Sequence, residues 1–317
     1  MSELSVVEEI SRRTEPNLLF EGLSQEQLEA VMHDWRLWRR PKQITPEGNW
    51  RVWLILAGRG FGKTRTGSEW VREQVELGKA GHIALVGATA ADVRDTMIEG
   101  ESGILSIFPD GKRPRYEPSK RRITFHNGAM ATAFSADEPD RLRGPNHDLA
   151  WCDELAAWRY PDAWDMLIFG LRIGEHPQAL VTTTPRPTRI IRDLVHRKDV
   201  IVTHGSTFEN KTNLAASFFE EIIDRYEGTR LGRQELHAEI LDDVDGALWS
   251  RDMLDEARVS QLPDLKRIVV AIDPAVSSHE SSAETGIVAA GIDQAGHGYI
   301  LEDVSKRGTP LEWANEA

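Results

Sequence analysis

A lysine behind a run of glycines, and a pair of adjacent carboxylates further on, are the groups in this chain whose types and spacing could do chemistry. Gly58, Gly60 and Gly62 lead into Lys63 and Thr64 within AGRGFGKT, residues 57–64. Glycines let successive backbone N–H groups turn inward around phosphate oxygens, and a helix that opens there aims the positive end of its dipole at the same point. In a loop built from Gly58, Arg59, Gly60, Phe61 and Gly62, Lys63 could reach the β- and γ-phosphates of ATP, and the Thr64 hydroxyl could ligate Mg2+. Ala57 stands where the GxxxxGK[ST] pattern has its first glycine. A small residue is kept, so the tight turn stays accessible. A purely structural glycine loop is the competing reading, and the strand and helix patterns on either side weigh against it.

The carboxylates are Asp153 and Glu154, at the end of LAWCDE, residues 149–154. An apolar strand ending in two acids suits a phosphate-hydrolysing site, because Asp153 can hold the magnesium shell while Glu154 polarises the attacking water. A phosphotransferase needs no water-activating base there, so the second acid favours hydrolysis. Thr182, Thr183 and Thr184 end another apolar run and could sense a γ-phosphate through their hydroxyls, although β-branched residues also simply favour strands. Two positions could supply a guanidinium to neutralise the transferring phosphoryl group. One is Arg59, inside the loop, and the other is the 140–144 stretch DRLRG with Arg141 and Arg143, acting within the subunit or on a neighbour. Structural ion pairing is the ordinary alternative. Gln43 could return to the adenine edge, where an amide donates and accepts together, or it could be a polar loop residue. Asp273 ends the apolar run 267–272 and could open a two-metal nuclease, or merely cap a strand.

The elements that must position these groups are legible as periodicities. Residues 52–57 read as a strand and a helix follows from near Lys63. Residues 24–39 read as one helix opened by a Ser24–Gln27 capping box, with Leu28, Val31, Met32, Trp35 and Trp38 as its core face. Thr89 caps a helix over 90–99 behind a strand over 82–87. Further strands are expected at 179–183 and 200–205, giving a β-α-β alternation and a parallel sheet of about five strands. Residues 112–122 carry six basic residues against one acid. They precede a hairpin signal, 123–134 around His126-Asn127-Gly128, which reads either as a basic hairpin tracking a phosphodiester backbone or as a solvated loop. Residues 217–236 read as helical with a break at Gly228. A linker is expected over 242–265, followed by strands over 267–272, 286–292 and 298–301.

Bulk numbers set limits on this reading. The 317 residues, 40% hydrophobic, allow one large domain or two. The net charge of -13 argues against wholesale attraction to nucleic acid but leaves room for a local basic surface. A single cysteine, Cys152, excludes an internal disulfide framework, and the ten histidines show no metal-ligand spacing. No apolar run is long enough to cross a bilayer and the N-terminus carries no signal-peptide core, so a soluble protein made in the cytosol, without a membrane partner, is expected.

With these residues assembled, the chain resembles the large terminase subunit, the DNA-packaging motor of tailed bacteriophages and gene transfer agents. The resemblance spans about residues 30–317 and is carried by AGRGFGKT, RLRG at 141–144, LAWCDE, TTTP at 182–185, STFENKTNL at 206–214, GTRLGRQEL at 228–236 and AIDPA at 271–275. It implies an α/β P-loop NTPase of the additional-strand, catalytic-glutamate type, followed by the start of a ribonuclease-H-like nuclease. The expected domains are an N-terminal helical region over 1–45, an ATPase domain with a helical lid over 46–241, the linker over 242–265 and nuclease strands over 266–317. It further implies that Gln43 lies in the adenine-binding region, that Thr182 to Thr184 are the coupling motif, that Arg59 or Arg143 is the arginine finger, and that Asp273 is a nuclease ligand for Mg2+ or Mn2+. Double-stranded DNA, a portal protein, a small terminase subunit and a homo-oligomeric ring are the implied partners. The remaining nuclease acids of the family lie beyond Ala317, so a truncated or split terminase without robust nuclease activity is expected. A helicase-like nucleic-acid-stimulated ATPase is the enzymatic alternative. A prophage remnant that only binds nucleotide or partners is the non-enzymatic one.

Overall fold

Strand β1 (Val52–Ala57) is buried at all six positions. Such a continuous apolar run suits only a sheet covered on both faces. Trp53 and Ile55 enter a core on one face with Trp50, Trp70, Val71 and Trp151. Val52, Leu54 and Leu56 enter a second core on the other face with Cys152, Trp164, Leu167 and Ile191. This is the two-residue alternation of a strand, with apolar residues required on both sides.

The computed structural model describes residues 22–226, 229–240, 249, 251–274 and 285–306. Contacts divide it into two units, Met1–Ala257 and Arg258–Ala317. In the first unit, helix α1 (Gln25–His33) precedes β1, and helix α2 (Lys63–Glu76) follows it. Then come β2 (His82–Gly87), β3 (Arg115–Glu117), β4 (Arg122–Thr124), β5 (Met130–Ser135), β6 (Leu149–Asp153), α3 (Asp162–Gly170), β7 (Gln178–Thr183), α4 (Arg189–His196) and β8 (Val200–Gly205). Helices α5 (Ala216–Tyr226), α6 (Arg230–Glu235) and α7 (Arg251–Glu256) complete the unit. The strand order is β3-β4-β5-β2-β6-β7-β1-β8. β7 therefore lies between the strand that leads into the glycine loop and the strand that ends in Asp153, and both pairings are parallel. That inserted strand is the additional-strand arrangement of the P-loop fold.

Two expectations are corrected here. The sheet has eight strands rather than about five, because the hairpin expected over 123–134 forms and joins it: β4 pairs antiparallel with β5, β5 pairs in parallel with β2, and β3 extends that edge antiparallel. The Asn127-Gly128 turn is present, with Gly128 at φ 89°, but a hairpin signal says nothing about what the outer face of its second arm will meet. Residues 24–39 form two helical pieces. Ser24 and Gln27 make the capping box, and α1 then ends at Asp34, whose carboxylate accepts from Arg36 N–H to start the single turn Trp35–Trp38. None of the expected core face is buried, and Met32 is 65% exposed.

The second unit is an antiparallel meander ordered β11-β10-β9, built from β9 (Leu265–Asp273), β10 (Gly286–Asp293) and β11 (Gly298–Asp303). Asp293 closes its turn by accepting from the backbone N–H and the ring of His297. Helix α7 occupies part of the stretch expected to be linker. Residues 1–21, 241–248, 275–284 and 307–317, on which parts of the expected N-terminal, linker and nuclease segments fall, and the expected break at Gly228, lie outside the described residues.

Candidate nucleotide site

β1 delivers the chain into the glycine loop at Ala57, and Gly62, at φ 95°, turns it into the first residue of α2. That left-handed conformation suits glycine and few other residues. Lys63 is thereby held at a helix N-terminus facing back over its own loop. Its Nζ donates to Ala57 O at 2.9 Å, Gly58 O at 3.3 Å and Thr184 Oγ1 at 3.2 Å. It also lies 3.5 Å from Glu154 Oε1.

The carboxylates reach this point from β6. Glu154 adopts φ 49°, unusual for a residue with a Cβ. Its N–H donates to Thr182 O at 2.6 Å, and its carboxylate accepts from Thr184 N–H at 3.0 Å. The turn therefore throws Glu154 across the end of β7 toward Lys63. Asp153, one residue earlier, stays buried, and its Oδ1 accepts from Thr182 Oγ1 at 2.6 Å. Burial, and then the charge of Glu154, push its carboxyl up to about 7. A cation beside it would offset both causes, since an opposite charge favours the ionised carboxylate. The donor chemistry of Asp153 and Thr64, a carboxylate and a hydroxyl, fits a hard divalent ion. Thr64, Lys63, Glu154 and Thr184 line one cavity of about 1130 Å³, whose wall also includes Arg59, Gln43, Trp35 and Arg186.

Other expected site residues are distributed less evenly. Gly58, Arg59, Gly60, Phe61 and Gly62 form the loop, and Arg59 lines the cavity with its guanidinium 3.9 Å from Glu235. Arg143 is exposed and is not among the cavity residues. Of the three threonines only Thr184 reaches the cavity. Thr182 Oγ1 is held between Trp151 Nε1 and Asp153, and Thr183, whose side chain alternates to the other face of the strand, accepts from Ala156 N–H. Gln43 lines the cavity but its amide is engaged within the protein. Oε1 accepts from Arg40 N–H and Nε, and Nε2 donates to Thr66 Oγ1 at 2.9 Å. Paired donation and acceptance toward a base would require Arg40 to let go. Asp273 ends β9 in the second unit, exposed. Among the described residues, no three His, Cys, Asp or Glu side chains gather as a metal site.

Sequence reasoning assigned no role at the loop to four residues that touch it. Arg40 donates to Phe61 O and lies 4.5 Å over the Phe61 ring. Thr207, Asn210 and Glu235 bond the loop backbone, and Asn210 and Glu235 also line the cavity. Their only sequence signal was membership in the 206–214 and 228–236 motifs.

Residues 54–256 match the family described as terminase large subunit, T4likevirus-type, N-terminal. Among solved structures, the large terminase of a thermophilic bacteriophage in complex with ADP is similar at 14% identity and TM-score 0.53, covering 91% of this chain and 71% of that one. A second crystal form of that terminase gives 15% identity and TM-score 0.51, again covering 91% and 71%. The ATPase domain of a Thermus phage large terminase covers 71% of this chain and 98% of its own length at 16% identity and TM-score 0.49. No curated protein matches the chain.

Proposed function

Since this chain belongs to the terminase large-subunit family, we propose that it is the ATP-hydrolysing subunit of a motor that drives double-stranded DNA into a procapsid. The observation that carries the reading is the meeting of Lys63, Glu154 and Thr184 at one point, with Lys63 Nζ 3.5 Å from Glu154 Oε1 and 3.2 Å from Thr184 Oγ1. In the proposed reaction Lys63 leaves the carbonyls of its own loop for the β- and γ-phosphates of ATP. Thr64 and Asp153 would hold a magnesium ion, which supplies charge neutralisation at the phosphate oxygens. Glu154 takes the proton of the attacking water as it adds to the γ-phosphorus, and the bond to the β-γ bridging oxygen breaks.

Thr184 would feel the outcome directly, since it bonds both Lys63 and Glu154. Its neighbour Thr182 bonds Asp153. The end of β7 is thus a place where phosphate loss becomes a backbone movement, and the helices α5 and α6 would serve as the lid that responds. A ring of subunits on a portal protein, supplied with DNA by a small terminase subunit, is the assembly this reading implies. Asp273 is the corresponding proposal for a Mg2+- or Mn2+-dependent nuclease. Robust cleavage by this chain is not expected, since Asp273 stands exposed at its strand end. Plasmid digestion with manganese that disappears in Asp273→Ala would overturn that.

The test of the motor reading is steady-state ATP hydrolysis with and without double-stranded DNA. DNA-stimulated turnover is expected. Turnover indifferent to DNA, or none while nucleotide still binds, would remove the motor and leave only a nucleotide-binding protein.

A further inference from the structure

Three successive carbonyls of the phosphate-binding loop are held from outside it. Thr207 Oγ1 donates to Arg59 O at 2.7 Å. Asn210 Nδ2 donates to Gly60 O at 2.6 Å. The guanidinium of Arg40 donates to Phe61 O. A trans peptide is planar, with its C=O and the following N–H pointing in opposite directions. Fixing those carbonyls outward therefore turns the N–H groups of Gly60 and Gly62 the other way, while Phe61 N–H closes the turn by donating to Gly58 O at 3.3 Å. Inward-turned successive N–H groups are what an anion-binding loop requires.

The glycines show how closely this outer clasp fits. A Cβ on Gly58 would stand 2.5 Å from Glu235 O and 2.7 Å from Thr207 Oγ1, and one on Gly60 would stand 2.9 Å from Leu214 Cδ1. Both glycines thus admit the close approach of the segments that flank α5 and α6. Arg59 N–H donates to Glu235 O at 2.8 Å, and Thr207 N–H to Leu236 O at 2.8 Å. Loop, Thr207 segment and the end of α6 form one hydrogen-bonded unit.

We infer that Thr207 and Asn210 are positioning residues for nucleotide binding: by capturing the Arg59 and Gly60 carbonyls, they preset the direction of the loop N–H groups and tie loop shape to the helical segment that follows. This rests on the nucleotide-site reading above. It assigns the 206–214 motif, of which Asn210, Asn213 and Leu214 line the cavity, a role at the phosphates exerted through the loop backbone.

The experiment measures ADP affinity in the presence of magnesium by calorimetry on the full chain, together with amide exchange at Gly60, Phe61 and Gly62. Thr207→Val keeps the shape and loses the donor, and Asn210→Asp places an acceptor against a carbonyl. Each is expected to raise the ADP Kd about tenfold and to speed exchange at the loop. Thr207→Ser, which keeps the hydroxyl, is expected to restore Kd to within about twofold. Asn210→Ala provides a second route should Asn210→Asp fold poorly. Unchanged Kd in Thr207→Val and the Asn210 variants overturns the inference, and so does a fall in thermal midpoint with no change in Kd, which would mean packing alone. If the unsubstituted chain binds no ADP, the nucleotide reading itself falls and this inference with it. Binding that is lost in Lys63→Ala but untouched by the clasp variants sinks only the inference.

Discussion

β6 and β9 are spelled alike, as a run of apolar residues ending in aspartate, yet they meet different surroundings. All five positions of β6 are buried, and Asp153 is bonded by Thr182 and pressed by Glu154. β9 is exposed along nearly its whole length, including Ile268, Val270 and Ile272, and Asp273 is exposed with it. A strand is a local property, readable from a few residues. A site is a property of what converges on the strand's end. Beside Asp153 and its neighbour Glu154 two other segments converge, bearing Lys63 and Thr184, whereas Asp273 stands exposed at the end of its strand.

The contrast breaks most readily at the acids themselves. Glu154→Gln should lower ATP turnover by about 10²- to 10⁴-fold, the usual contribution of a positioned general base, and leave ADP affinity largely intact. Asp273→Asn should leave turnover unchanged. Steady-state hydrolysis decides it, and equal losses in both variants would mean that the two strand ends serve one reaction.

A second pair of variants probes packing. Gly67 lies where α2 crosses β6, and a Cβ there would be driven into the indole of buried Trp151. Gly67→Ala should cost about 3 kcal/mol, at the upper end for overpacking, by pushing the lysine-bearing helix off the sheet. At Gly298, in β11, a Cβ would meet nothing within 4 Å. Gly298→Ala should stay within about 0.5 kcal/mol. Chemical denaturation followed by tryptophan fluorescence separates the two.

Acid should also treat the two units differently. His147 is buried, and burial lowers its pKa to about 4. Between its ordinary 6.5 and 4 the unfolded chain holds a proton that the fold excludes, so this histidine costs stability as pH falls through that window, by about 3 kcal/mol at most. Asp153 works in the opposite sense. Raised to about 7, it binds its proton more readily in the fold, so its burial is least costly at low pH and weakens the fold as pH rises toward 7. His147→Leu separates the two, since it should gain on the unsubstituted chain as pH falls from 6.5 to 4. In the second unit Asp293 is lowered to about 2 by its bonds to His297 and Tyr299. Its contribution is present above pH 3.8 and is lost only as pH falls toward 2. Thermal scans of both chains across this range test the order. If His147→Leu tracks the unsubstituted chain at every pH, the burial argument fails.

How much was legible follows from the same distinction. Lys63, Thr64, Asp153 and Glu154 could be named because each sits in a short motif whose spacing carries its chemistry, and β1, β2, β6 and β7 because buried parallel strands read as apolar runs, while β8, at the sheet edge and mostly half-buried, showed itself by the β-branched run 200–203. The partner of β5 could not be read, since a turn signal fixes the hairpin and leaves the other edge open. Met32 read as core because its spacing was helical, but Asp34 ended the helix and left it in water. The Thr207 and Asn210 contacts join residues 148 and 150 positions from their partners in the loop. No local pattern specifies a hydrogen bond between a side chain and a distant carbonyl.

The smallest expected effect concerns two arginines that the sequence left as equals. Arg59 belongs to the loop and lines the cavity, with its guanidinium mostly exposed and 3.9 Å from Glu235. Arg143 follows the 3-10 turn Pro139–Leu142 and is exposed outside that cavity. An exposed guanidinium facing bound phosphate is screened by water, so Arg59→Ala should weaken ADP binding by the isolated subunit about fivefold, near 1 kcal/mol. Arg143→Ala should not change it, because nothing in its own subunit brings that charge to the nucleotide. If Arg143 serves the reaction from a neighbouring subunit, its loss will appear only where subunits assemble. Turnover per subunit would then rise with protein concentration in the unsubstituted chain and stay flat in Arg143→Ala. A fall in ADP affinity of isolated Arg143→Ala would contradict this division, and would mean that the loop bearing it folds over its own cavity.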